Sequence, residues 1–153
     1  LGLQAKRLSL TKLTHNRADF AIYATPRANG RGRMYVQGFV LGVKGDRQQD
    51  YLKIARTMGE MFIEFGALEA TENWEEDVPD GEVTDFRKAV AAEPGEKIVF
   101  SWIVWPDKKT CDEGIKKMEG DERMSSMEFP DIMDGKRMIM GSFDQIYRIA
   151  KDG

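Results

Sequence analysis

Two carboxylates, Glu69 and Glu72, stand three residues apart in the stretch Ala67 to Trp74. Three is an odd step along a strand, so their side chains leave opposite faces and at most one can point inward. A carboxylate facing an apolar cavity has a raised pKa and can work as a general acid or base. Glu69 is the catalytic candidate on this ground, against the plainer reading of an exposed strand residue. Trp102, flanked by Phe100 and Val104, could line a ligand pocket, although an alternating aromatic row is more often core or interface. Lys136 and Arg137 follow the tight turn Asp134-Gly135 and could hold an anion, unless a neighbouring carboxylate takes them. Phe100, Trp102, Lys136 and Arg137 are therefore the ligand-binding candidates.

Other chemistry is excluded by composition. The chain has 1 His, and it is His15. From Met34 onward there is no histidine, which removes Ser-His-Asp and Cys-His arrangements, imidazole metal sites and an imidazole base. The single cysteine, Cys111, forbids an intramolecular disulfide and any multi-cysteine zinc site, and suits a cytoplasmic location. Cys111 falls on the inward stripe of a helix, where a buried, inert thiol is expected. The acidic run Glu75-Glu76-Asp77, with Asp80, Glu82 and Asp85, does not have EF-hand spacing, so no metal and no cofactor are expected. The methionines Met118, Met124, Met127, Met133, Met138 and Met140 suit an adaptable core or an adaptable ligand surface.

The elements that must position these residues are legible from period. Tyr35 to Val43 alternates as a strand, with Gly38 and Gly42 on one face marking close approach of another element. Asp46 with Gln49 has capping-box spacing and predicts a helix over 46–65, stopped by Gly66. Ala67 to Trp74 is the second strand. A long acidic connection over 75–95 includes a helical turn around Phe86–Val90. Lys97 to Trp105 is the third strand, with Ile98, Phe100, Trp102 and Val104 on one face and Val99, Ser101, Ile103 and Trp105 on the other. Pro106-Asp107 caps a second long helix, a third turn carries Met124 and Met127, and a last strand runs from Lys136 to about Ile146.

Charge divides the chain. Residues 1–33 carry seven basic side chains against one acid, Asp19, for a net +6. The remainder has 16 basic and 25 acidic residues, a net −9. Residues 1–33 are expected to be a disordered basic extension or an early start site, with a targeting presequence as the sharper alternative. Residues 34–153 are expected to be the folded domain. Its acidity disfavours nucleic-acid binding, and no apolar run approaches the ~18 residues that span a bilayer. The strands are apolar on both faces, whereas two helices cover only one face of four strands. Face-to-face packing with a second copy is the economical solution.

Met34-Tyr35-Val36-Gln37-Gly38-Phe39-Val40-Leu41, Phe65-Gly66-Ala67-Leu68-Glu69, Asp77-Val78-Pro79, Val99-Phe100-Ser101-Trp102-Ile103-Val104 and Asp134-Gly135-Lys136-Arg137-Met138-Ile139 together resemble the YbaA-like bacterial domain of unknown function. The resemblance covers essentially Met34 to the C-terminus. It implies an α+β, ferredoxin-like β-α-β-β-α-β sheet with helices on one face, in a homodimeric α/β barrel. It supplies no activity. The expected role is a small-molecule-binding or accessory protein. The alternative is a cofactor-independent enzyme of monooxygenase or isomerase type that uses a cavity carboxylate. An RNA-associated role would rest on the basic N-terminal arm alone.

Overall fold

Alternation of side chains at period two becomes strand β1, Tyr35–Lys44, in the computed structural model, which describes residues 20–21, 33–127 and 132–151. A 3-10 turn over Gly45–Arg47 leads into helix α1, Gln48–Glu64, and then strand β2, Glu69–Trp74. The short helix α2, Phe86–Ala89, interrupts the acidic connection before strand β3, Glu96–Trp105. Helices α3, Lys108–Glu119, and α4, Glu122–Ser126, precede strand β4, Ile139–Asp144.

The strands lie in the order β2-β3-β1-β4, every neighbouring pair antiparallel. Each long helix therefore joins two strands that leave room for a third between them: β3 sits between β1 and β2, and β1 between β3 and β4. That is the ferredoxin-like arrangement, an α+β fold. The chain divides into two compact units, Arg27–Ile146 and a second made of Leu1–Pro26 with Tyr147–Gly153. In the second, Phe20–Ala21 pairs antiparallel with Ala150–Lys151. The rest of residues 1–33, apart from Arg33, lies outside the described residues.

One face of the sheet carries the core. Tyr35, Phe39, Ile103 and Trp105 pack with Met61 and Phe62 of α1 and Cys111 and Met118 of α3. Further along, Leu41, Val43, Val99 and Trp74 pack with Tyr51 and Ile132. Trp105 is wholly buried, donates from Nε1 to Gln37 Oε1 at 2.9 Å, and meets Phe62 edge-on at 6.1 Å between centroids. Among the described residues the opposite face is bare over much of its length. Phe100 is 42% exposed, Ile139 43% and Phe143 60%. At one end α2 lies over it, with Phe86 5.9 Å from Phe100. Among the described residues no helix is long and apolar enough to cross a membrane.

Three boundaries differ from the sequence expectation. Asp46 does not cap α1; it lies inside the 3-10 turn, and Arg47 precedes the helix without a side-chain cap. The Gly45 amide donates to the Gly95 carbonyl at 2.9 Å, which turns the chain before Asp46 can take the extended backbone of a cap. β2 begins at Glu69 because the Ala67 amide still closes the helix end by donating to the Phe62 carbonyl, next to Gly66 at φ +111°. β4 begins at Ile139, since the amides of Arg137 and Met138 turn back to the Asp134 and Gly135 carbonyls. Asp107 does cap α3, accepting from the Thr110 amide at 2.7 Å.

Helix α2 ends in a Schellman pattern: the Ala92 amide reaches the Arg87 carbonyl and the Ala91 amide the Lys88 carbonyl. Ala91 occupies the left-handed position at φ 47°, where a Cβ is unfavourable. Ala91→Gly should raise stability by about 0.5–1 kcal/mol, read as a higher denaturation midpoint with an unchanged m-value.

Candidate functional site

The alternation of β2 separates the two carboxylates as expected. Glu72 falls on the helix-covered side, opposite Ser101 of β3, and Glu69 on the bare side, opposite Val104. Tyr51 reaches the same place from the first turn of α1. Its ring packs against Trp74 at 6.2 Å, and its hydroxyl donates to Glu72 Oε2 at 2.6 Å. The buried Ser101 hydroxyl donates to the same oxygen. Burial, reinforced by the Glu72 charge, pushes the Tyr51 phenol well above its ordinary pKa. The phenol therefore stays protonated and remains a donor.

Beside this network a cavity of about 570 Å³ opens between α1 and the β2 side of the sheet. Leu52, Ala55, Phe62 and Ile63 of α1 form one wall, with Ala70 of β2 and Ile103 of β3 opposite. Its charged lining is Arg56, Glu60 and Glu72. A largely apolar concavity with a few convergent polar groups is the usual form of a small-molecule site.

The sequence candidates fall in two other places. Glu69 is exposed on the bare face, where its Oε1 accepts from Trp102 Nε1 at 2.8 Å and from the Thr71 hydroxyl at 3.0 Å. Phe100 stands 5.5 Å from Trp102 on that face. Glu69, Phe100 and Trp102 thus form one cluster, but the cavity is on the opposite side of the sheet. The carboxylate that lines the cavity is Glu72.

Lys136 and Arg137 share a turn and have different surroundings. Lys136 is exposed, its amide donating to Asp134 Oδ1. Arg137 forms a two-pronged pair with Glu96, at 2.8 Å and 2.7 Å, and donates also to the Ala91 carbonyl and to Asp134. Four of its bonds are thus directed to the protein itself. Glu96 is seated over Gly42, where a Cβ would come within 2.6 Å of Oε2. This accounts for one of the two strand glycines. Arg137 holds the Glu96 carboxyl below its ordinary pKa, against the opposing effect of burial.

The acidic connection is tied down similarly. Glu75 accepts from Arg87, from Lys97 and from the Ile98 amide. Burial pushes its carboxyl up, but these donors outweigh it and the net shift is downward. Asp85 caps α2 through the Lys88 amide, which with the Gly81 amide lowers its pKa to about 2. Cys111 is buried, and burial followed by the Asp112 charge raises its thiol pKa, the opposite of an activated nucleophile. Among the described residues no three His, Cys, Asp or Glu side chains are grouped to hold a metal ion.

Removing Arg137 takes the two-pronged counter-charge from a buried carboxylate and leaves it the Glu93 amide at 2.7 Å and the charge of Lys44, the costly way to break such a pair. Arg137→Met should lose roughly 3 kcal/mol at neutral pH, whereas Lys136→Met should change stability by less than about 0.5 kcal/mol. The Glu96 pKa is lowered by folding, so the pair's contribution is complete above the unfolded value near 4.5 and lost as pH falls through the folded one. The gap between wild type and Arg137→Met, measured by denaturant titration, should therefore narrow progressively as pH falls below that unfolded value.

Comparison with known proteins agrees with the sequence motifs. Residues 34–135 match the family model described as protein of unknown function DUF1428. The uncharacterized protein YbaA of Escherichia coli strain K12 is 50% identical over 114 residues, spanning 73% of this chain and 96% of that protein. YbaA of Shigella flexneri shows the same identity and coverage. Among solved structures, a Bacillus cereus protein provisionally described as an antibiotic biosynthesis monooxygenase is 18% identical, covering 74% of this chain and 93% of its own, with a TM-score of 0.38. The chain belongs to the DUF1428 family, whose YbaA relatives are bacterial.

Proposed function

We propose that the protein binds a small molecule in the cavity between α1 and the sheet, and that it works in the cytoplasm as a homodimer closed over its bare sheet faces. The observation that carries the binding reading is the cavity itself: about 570 Å³, mostly apolar, with Glu72 anchored in its wall by Tyr51 and Ser101. Its volume is within the range of small-ligand pockets. Dimerisation is supported by the uncovered apolar row on the other side. Val36, Val40, Trp102 and Val104 are only partly buried there, beside the more exposed Phe100, Ile139 and Phe143. At ~25 cal/mol per Å², covering several hundred Å² of such surface contributes many kcal/mol. A second reading draws on the same carboxylate: Glu72 acts as the general base of a cofactor-independent enzyme, with the protonated Tyr51 as the adjoining hydrogen-bond donor.

Sedimentation equilibrium at micromolar concentration should give twice the chain mass, and Phe143→Asp should shift the protein toward the single chain. A wild-type protein of one-chain mass throughout that range would end the dimer reading. For the cavity, methyl-resolved NMR of the full chain with a library of small apolar fragments should move the Ala55, Ile63, Ala70 and Ile103 methyl signals together. No such movement across the library would end the binding reading.

A further inference from the structure

The three charged residues of the cavity are not arranged alike. Arg56 and Glu60 lie one turn apart on α1, so they offset each other's charge. Glu72 comes alone from the sheet side. Two carboxylates against one guanidinium leave the cavity with a net −1. The hydroxyls of Tyr51 and Ser101, which fix Glu72, both donate to its Oε2. Among the described residues, then, the carboxylate's hydrogen bonds go to one oxygen, and Oε1 retains its accepting capacity. Around it the wall is aliphatic, with Leu52, Ala55 and Ile63 on α1 and Ile103 on β3.

We infer that the ligand is a small organic cation, an amine whose apolar body lies against that wall and whose ammonium group donates to Glu72. This rests on the small-molecule reading above and adds the ligand's class. An ammonium supplies both things the site lacks, a positive charge and an N–H donor for Oε1. An anionic ligand of the same shape would face Glu60 and Glu72 with Arg56 alone to favour it. A neutral ligand would gain the apolar wall and nothing from the charge. Glu72 is accessible to solvent, so the ion pair refines affinity and selectivity while the wall supplies most of the binding.

Three probes of equal chain length separate these cases on the full protein at pH 7: n-hexylamine, n-hexanol and n-hexanoate, titrated while following the Ala70 and Ile103 methyl signals. Hexylamine should bind on the order of fivefold tighter than hexanol, and hexanoate more weakly than either. In Glu72→Gln, which keeps an amide oxygen to accept from Tyr51 and Ser101, the advantage of the amine should vanish while the hexanol affinity persists. Equal binding of amine and alcohol by the wild type, or a preference for hexanoate, would overturn the cationic assignment and leave the cavity reading standing. An amine advantage undiminished in a folded Glu72→Gln would remove Glu72 from the proposal. If none of the three moves those signals, the cavity reading falls together with this one.

Discussion

Trp105 is the residue on which both long helices depend. Its indole is fully buried at the end of β3, tied to β1 through Gln37 and edge-on to Phe62 of α1. From the other side α3 comes down onto it at Gly114, where even a methyl group would lie 2.6 Å from the ring. A glycine facing a large aromatic leaves the ring room directly against the helix backbone, which a Cβ would deny it. The indole nitrogen would be costly to bury without a partner, and the buried Gln37 side chain supplies one. One side chain thus fixes the depth at which the layers meet.

The same layer spacing bears on the cavity. α1 is held at its C-terminal half by Met61 and Phe62 in the Trp105 cluster, and at its start by Tyr51 in the second cluster. Between these anchors Leu52, Ala55 and Gly59 present small or flexible groups toward β2, the outermost strand on that side. An edge strand flanked by a neighbour on one side alone leaves a concavity where the helix passes over it. Glu72 is in this place because the parity of β2 directs it there, and Tyr51 and Ser101 meet it because α1 and β3 are the two elements that flank β2.

What the sequence made legible was what a local period can encode. The two-residue alternation of β1 and β3 assigned every side chain to its face, and the separation of Glu69 from Glu72 followed from counting. Asp107 and Gly66 marked helix ends because capping and stopping are decided within a turn. What remained hidden depends on partners far away in the chain. Tyr51 and Ser101 are 21 and 29 residues from Glu72, and Arg137 is 41 from Glu96. Strand register, which no local pattern states, decides those meetings. Asp46 failed as a cap for the same kind of reason, since a carbonyl at Gly95 turned the chain first. Arg137 read as available to a ligand because Glu96, a strand-initial acid, gave no sign of being buried.

The bare face of the sheet is not flat from end to end. Helix α2, with Phe86 over Phe100 and the Arg137–Glu96 pair beneath the Ala91 carbonyl, raises a step at the end where Gly42 and Ile98 lie. Two such sheets brought face to face would have to accommodate that step, and because helices fill the other face of each, a pile of sheets like that in a fibril would end at two.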